Sequence, residues 1–231
     1  MIKKEKYPKV DKKYLTKNIQ KKQYFETIKK IIINDKKKSG SIMDIGCASG
    51  DFLTLFKNKP QYLLHGIDYS SALIKLAKKK LPVANFNVEN ILSPKNKKKF
   101  DYCVCLGVLN IFNDFKKPLK NILKFVKKGG LLFIFTHINY YNINVRVQFQ
   151  MTESRHWYSG INSFSKLALQ EFFIKNKKIK KFKIIKHQLK QTIRKNKKNP
   201  MHVWTVNLDR KKSLINGAGI ISDQAIIVIR R

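Results

Sequence analysis

Carboxylates are scarce in this chain: Asp and Glu number 14 against 50 Lys and Arg, a formal net charge of +36 over 231 residues. Arginine is scarce as well, confined to positions 146, 155, 194, 210, 230 and 231, so 44 of the cations are lysines. Phosphate and base recognition favours arginine's bidentate fork, and these lysines are spread over the whole chain. A base-composition bias that also enriches Ile and Asn accounts for such scatter without a nucleic-acid partner. The charge keeps nucleic acid as the alternative, not the favoured, partner. Cysteine occurs only at 47, 103 and 105, in or beside apolar runs. That excludes a disulfide framework and lacks zinc-ligand spacing, so no metal site is expected. No apolar stretch approaches the roughly 18 residues of a spanning helix, and residues 1–6 lack the apolar core of a signal peptide. A cytoplasmic protein without a membrane span is expected.

At 43% hydrophobic and 28% charged residues, the composition is that of a globular chain. Its length suits one α/β domain and is short for two. One domain, 1–231, is expected, with a basic N-terminal arm at 1–20.

Apolar residues at helical spacing predict a helix over 24–38 that covers one end of a sheet. Strands follow at 41–45, 62–67 and 84–88, with a crossover helix starting at 51–57 and a second helix capped by Ser70 or Ser71, in which Leu73, Leu76 and Ala77 share a face. Residues 100–107 are continuously apolar, as in a strand buried on both faces. A helix over 117–126, a turn at 127–130 and a strand at 131–135 complete this half. Beyond Thr136 the pattern loosens: a helix at 165–176, a strand-like stretch at 179–189, a hairpin of 201–208 with 213–221, and a last strand at 225–229. The alternation of strand and helix reads as an α/β, Rossmann-like, mostly parallel sheet with helices on both faces.

Residues 41–50 read Ser-Ile-Met-Asp-Ile-Gly-Cys-Ala-Ser-Gly, and the next apolar run closes on Asp68. Strand, glycine turn, helix, then a strand ending in a carboxylate is how such sheets hold an adenosine-containing cofactor. A dinucleotide fingerprint needs three glycines; only Gly46 and Gly50 flank this turn, and Asp44 at its mouth repels a pyrophosphate and suits a cationic ammonium or sulfonium. The segment resembles motif I of the class I S-adenosylmethionine-dependent methyltransferases, Asp-x-Gly-Cys-Gly-x-Gly, with Ala48 where the middle glycine commonly stands. A residue with a Cβ is strained there if φ is positive. Phe100-Asp101 followed by Val108-Leu109, and Lys128-Gly129-Gly130 before an apolar strand, are similar to the same family. The resemblance covers 41–137 and implies seven strands with the last antiparallel.

That resemblance implies the cofactor, S-adenosylmethionine, and roles for particular residues. Asp44 binds the methionine amino group, directly or through water; Gly46, Cys47 and Gly50 let the cofactor approach closely through their amides and Cα atoms; Asp68, followed by Tyr69, takes the ribose hydroxyls. Glu89 or Asn90 meets the adenine amine, Asn90 being preferred by spacing, with Ile91 against the ring. Leu106 and Gly107 pass under the methionine part.

Methyl transfer is an in-line displacement, so the protein positions the acceptor and removes its proton where that acceptor is a hydroxyl. His137, after strand five, and His156 are the candidate bases, though His137 also reads as a loop histidine bonded to backbone. Arg155, Trp157 and Tyr158, with Asn162, suit a sugar ring or an anionic group; Trp157 equally reads as a core anchor. Residues 138–222 are thus expected to be substrate-side insertions and a hairpin. Segments 139–146, 157–165 and 214–219 look like methyltransferases of bacterial surface-polysaccharide biosynthesis, which implies O-methylation of a sugar or small phosphorylated precursor. The alternative is an RNA methyltransferase or RNA-binding relative. Strand four ends in Leu106-Gly107-Val108-Leu109, without the Asn/Asp-Pro-Pro-Tyr/Phe tetrapeptide of base amino-methyltransferases.

Overall fold

The computed structural model describes residues 22–153, 155–190, 192–195, 203–208 and 211–231; the expected basic arm at 1–20 lies outside them. Five parallel strands form the first part of the sheet: β1 (Gly40–Ile45), β2 (Tyr62–Asp68), β3 (Asn85–Val88), β4 (Phe100–Leu106) and β5 (Val126–Asn139). They lie in the order β3-β2-β1-β4-β5. β12 (Ile221–Arg230) runs antiparallel to β5 from Asp223↔Ile138 to Arg230↔Leu131, and β9 (Lys181–His187) runs antiparallel to β12. Seven strands with one reversed therefore make the frame, as expected. Two short additions enlarge it to a ten-stranded sheet: β8 (Phe164–Ser165) beside the tip of β5, and the hairpin β10 (Trp204–Leu208) with β11 (Lys211–Ile215) at the start of β12. A separate ribbon pairs β6 (Gln148–Gln150) with β7 (Trp157–Ser159).

Strand alternation sorts the core into two layers. Ile42, Tyr102, Val104, Phe133 and Phe135 point to one side, where α1 (Gln23–Ile33) contributes Phe25, Ile28 and Ile32 and α2 (Ser71–Lys80) contributes Ile74 and Ala77. Met43, Cys103, Cys105, Leu132 and Ile134 point to the other, against Leu119, Ile122 and Leu123 of α3 (Lys116–Lys124) and Leu169 and Phe173 of α4 (Lys166–Lys175). β4 is buried on both faces, the reason its sequence does not alternate. All three cysteines are buried free thiols.

Some elements differ from the sequence expectation. The first crossover helix is only a 3-10 turn, Leu53–Phe56. The turn expected at 127–130 is inside β5: the C-terminus reaches it, Gly129 N–H donating to Arg231 O and Arg231 N–H to Gly130 O. β12 starts at Ile221 rather than 225, and the second hairpin arm stops at Ile215, because Asn216 turns the chain there. Its Oδ1 accepts from the amides of Ala218 and Ile220, an Asx turn. No helix among the described residues is long and apolar enough to cross a membrane.

Candidate functional site

The site is built where β1 stops. The Ile67 carbonyl of β2 accepts from both Gly46 N–H (2.7 Å) and Cys47 N–H (2.9 Å), which closes the β1 turn against β2. Gly50 N–H donates to Cys47 O at 2.8 Å. The amides expected to face the cofactor are therefore spent inside the protein, and the turn offers shape rather than donors. Shape is what its glycines provide: Gly46 has φ +73° and lies under the Val108 side chain, which a Cβ would strike. Gly50, at φ +79°, lies 2.9 Å, measured from where a Cβ would be, from Phe86 Cζ. Ala48 has φ +48°, so the residue standing in for the middle glycine does adopt the left-handed conformation, at a cost of roughly 1–2 kcal/mol.

What holds Ala48 there is Asp68. Its Oδ2 accepts from Ala48 N–H at 3.0 Å, and its Oδ1 from Ser70 N–H at 2.9 Å. Each oxygen keeps acceptor capacity beyond that bond. Burial pushes the Asp68 carboxyl above its usual range, and the amides of Ser70, Ala48 and Tyr69 pull it back. Asp44 lies deeper, 3% exposed. Burial first, then the charge of Asp68, with Asp51 adding and Lys22 opposing, pushes its pKa up to about 8. A cationic group beside a buried carboxyl of this kind would favour its ionised form. Buried acids at two strand ends, an acceptor pair at one and a cation site at the other, fit an adenosine whose far end is a sulfonium with an ammonium.

A second buried network, which sequence did not reveal, lies under the turn. Lys80, at the end of α2, donates to Asp51 Oδ1 at 2.6 Å and to Ser49 Oγ at 2.9 Å, with both charged side chains about nine-tenths buried. Lys80 is one lysine among 44, and no local pattern sets it apart. Tyr24, on the expected apolar face of α1, stacks its ring on Phe135 with centroids 3.6 Å apart.

The expected adenine end is placed less simply. Tyr69 follows Asp68 and is 38% exposed. Glu89 Oε1 accepts from the amides of Lys95 and Asn96, both at 2.6 Å, and Asn90 Oδ1 caps its own loop through Leu92 N–H at 2.9 Å. Ile91 is buried in the core under α3. Leu106 is half-buried and Gly107, at φ +76°, is exposed at the end of β4.

The two histidines part company. His137 is 6% exposed; its Nδ1 lies 2.8 Å from Ser222 Oγ and its Nε2 3.3 Å from the Gln224 amide nitrogen. Burial lowers its pKa to about 4. Gln224 donating to Nε2 leaves Nδ1 as the donor to Ser222, so both ring nitrogens serve the β5–β12 pairing. The expectation of an open base at His137 is corrected on that ground. His156 is exposed beside Arg155 and Trp157, the latter 66% exposed, so Trp157 is not a core anchor. Tyr158 stacks on Phe149 across the β6–β7 ribbon, centroids 5.6 Å apart. Asn162, expected to touch substrate, is fully buried: Oδ1 accepts from Val147 N–H and Nδ2 donates to Phe112 O, both at 2.8 Å. It is a structural clamp. Its own N–H donates to Asn110 O at 2.8 Å, and Ser159 Oγ donates to Ile111 O at 3.4 Å. The ribbon is thereby fastened to the loop whose Val108 covers Gly46. Among the described residues, no group of three His, Cys, Asp or Glu gathers to hold a metal.

Comparison with known proteins agrees with this geometry. The family described as Methyltransferase domain matches residues 16–176. An uncharacterized protein, MJ1252, of Methanocaldococcus jannaschii is 34% identical over 144 residues, 61% of this chain and 53% of that protein. A ubiquinone biosynthesis O-methyltransferase of Coxiella burnetii is 30% identical over 105 residues, 43% of this chain and 44% of that one. The chain thus spans about half the length of these curated relatives. Among solved structures, the N-methyltransferase NodS of Bradyrhizobium japonicum, in complex with S-adenosylhomocysteine, has a similar fold. Its TM-score is 0.55 at 14% identity, over 90% of this chain and 86% of that one. The match over most of the chain, on a frame with the expected turn and acids, shows that the protein belongs to the S-adenosylmethionine-dependent methyltransferase domain family.

Proposed function

We propose that the protein is an O-methyltransferase whose acceptor is a hydroxyl of a sugar or small phosphorylated precursor, of the kind used to build surface glycans. The cofactor supplies an electrophilic methyl on a sulfonium; the chain's own residues bind, orient and remove a proton. Asp44 holds the cationic end and Asp68 the ribose hydroxyls, with Gly46 and Gly50 letting Val108 and Phe86 pack against the turn and Tyr69, Glu89, Asn90 and Ile91 at the adenine end. The observation that carries the acceptor class is the ribbon edge of Arg155, His156 and Trp157. It is solvent-facing, yet tied through Ser159 and Asn162 to the loop lying on Gly46. An exposed indole stacks on a sugar face and a guanidinium pairs with phosphate. With His137 engaged on both nitrogens, His156 is the candidate base. The O-methyltransferase relative of Coxiella burnetii supports transfer to oxygen.

Calorimetric titration with S-adenosylhomocysteine tests the cofactor half: wild type binds, and Asp68→Ala binds at least roughly tenfold more weakly, the loss of a charge-assisted hydrogen-bond pair. Unchanged binding in that variant defeats the assignment. Transfer of a labelled methyl group to sugar phosphates and nucleotide sugars tests the acceptor. Label on nitrogen, or none with any hydroxylated acceptor, overturns that half alone.

A further inference from the structure

The connection from β3 to β4, residues 89–99, contains no helical turn. Parallel crossovers ordinarily lay a helix over the sheet; here the side of β2 and β3 facing away from α1 and α2 is covered at Ile67, which packs with Ile91, and is open from Leu63 to Asn87. Leu63 is 66% exposed, Asn85 and Asn87 are exposed, and His65 packs against Phe100 with ring centroids 5.0 Å apart. A cavity of about 860 Å³ opens between this strip and the loop, a size that suits a nucleotide.

Its lining is polar and cationic. Asn85 and Asn87 present amides from β3, Lys95 and Lys98 come from a loop that reads Lys-Asn-Lys-Lys-Lys over 95–99, and Tyr69 stands at the lip. Glu89, the one carboxylate among these lining residues, is held by two loop amides, so the loop is fixed and its acid engaged. Burial, and then the charge of Lys98, hold His65 below its ordinary range, so the ring beside the lysines is neutral. Amides read base edges, flat rings stack on bases, and ammonium groups pair with phosphate.

We propose that this groove binds a nucleoside phosphate, free or as part of single-stranded RNA. The groove adjoins the proposed adenine end of the cofactor site and shares Tyr69, Glu89 and Asn90 with it, whereas neither Asp44, the glycine turn nor the Arg155–Trp157 edge lines it. It also changes the meaning of the charge, since two of the 44 lysines act here at a built place while the others stay dispersed.

The test uses the full chain at about 0.15 M salt, where loose surface attraction is largely screened. Uridine monophosphate is titrated by calorimetry, and a labelled ten-nucleotide oligouridylate by fluorescence anisotropy. Binding of the mononucleotide supports a free ligand; binding of the oligonucleotide alone supports an RNA strand. Lys95→Glu with Lys98→Glu is expected to weaken whichever binds at least roughly tenfold, and the oligonucleotide's salt dependence to have a slope of about −1.4 for two ammonium–phosphate contacts. The control, Lys177→Glu with Lys178→Glu on the distant surface, stays within about twofold. Unchanged S-adenosylhomocysteine binding in both variants shows that they fold, and keeps this result separate from the cofactor assignment. Three outcomes overturn the proposal: no binding of either probe by wild type, an equal loss in the control, or displacement of the probe by S-adenosylhomocysteine, which makes the groove the adenine end of the cofactor site.

Discussion

At Asp44 a single proton decides both affinity and stability. The carboxyl is held neutral in the ligand-free protein up to about pH 8, while the unfolded chain ionises near 3.8. Between those values the folded state binds more protons than the unfolded one, so this group's contribution is full below about pH 4 and is lost as pH rises to about 8. Asp44→Asn is therefore expected to raise the melting temperature of the ligand-free protein more at pH 8 than at pH 5. It should also weaken S-adenosylhomocysteine, whose ammonium loses its counter-charge. Binding near pH 7 should release a proton in wild type and not in the variant, read as a dependence of calorimetric enthalpy on the buffer's ionisation enthalpy. Ala48 gives the second prediction at this scale. Ala48→Gly relieves the left-handed strain of roughly 1–2 kcal/mol but adds freedom to the unfolded chain, about 0.4–1 kcal/mol. A net gain of between about 0 and 1.6 kcal/mol is expected in urea denaturation.

At the scale of elements, the ribbon proposed to meet the acceptor depends on one buried amide. Asn162 joins the end of the β6–β7 ribbon to the loop after β4, and truncation to Ala leaves Val147 N–H and Phe112 O unpaired in the interior. That costs about 1–3 kcal/mol per orphaned group, so Asn162→Ala should lower stability by about 2–6 kcal/mol in equilibrium unfolding. Because no cofactor-side element carries Asn162, cofactor affinity should hold while the KM for acceptor rises. Sequence read Asn162 as substrate-facing, whereas its amide is spent on Val147 N–H and Phe112 O: a motif position shows that a polar residue is needed, not whether it faces ligand or carbonyl. The Lys80–Asp51 pair escaped for a different reason. It joins a helix end to a turn 29 residues earlier, and nothing local in either segment anticipates the other.

Across the whole molecule, a net charge of +36 opposes compaction through self-repulsion. Raising ionic strength from about 0.05 to 0.5 M shortens the screening length severalfold, so the melting temperature is expected to rise with salt. The described surface ion pairs, such as Lys186–Asp223 with both side chains roughly half exposed, are too few to reverse that trend. A melting temperature that falls with salt argues instead that surface ion pairs dominate.

Sequence by itself determined the order of the seven frame strands, the glycine turn after β1, and the acids at strand ends, because each is a local matter. Period two or three point six shows in a short window, a tight turn demands glycine, and a carboxylate next to a strand end can only lie at the sheet's rim. The tertiary structure alone decided which side chains are spent and which remain for ligand. It engaged His137 with Ser222 and Gln224, buried Asn162, drew Lys80 beneath the turn, and left part of the β2–β3 face open where a crossover lacks its helix. Those outcomes come from long-range pairing and burial, in which a group's partner is set by the fold and not by its neighbours along the chain.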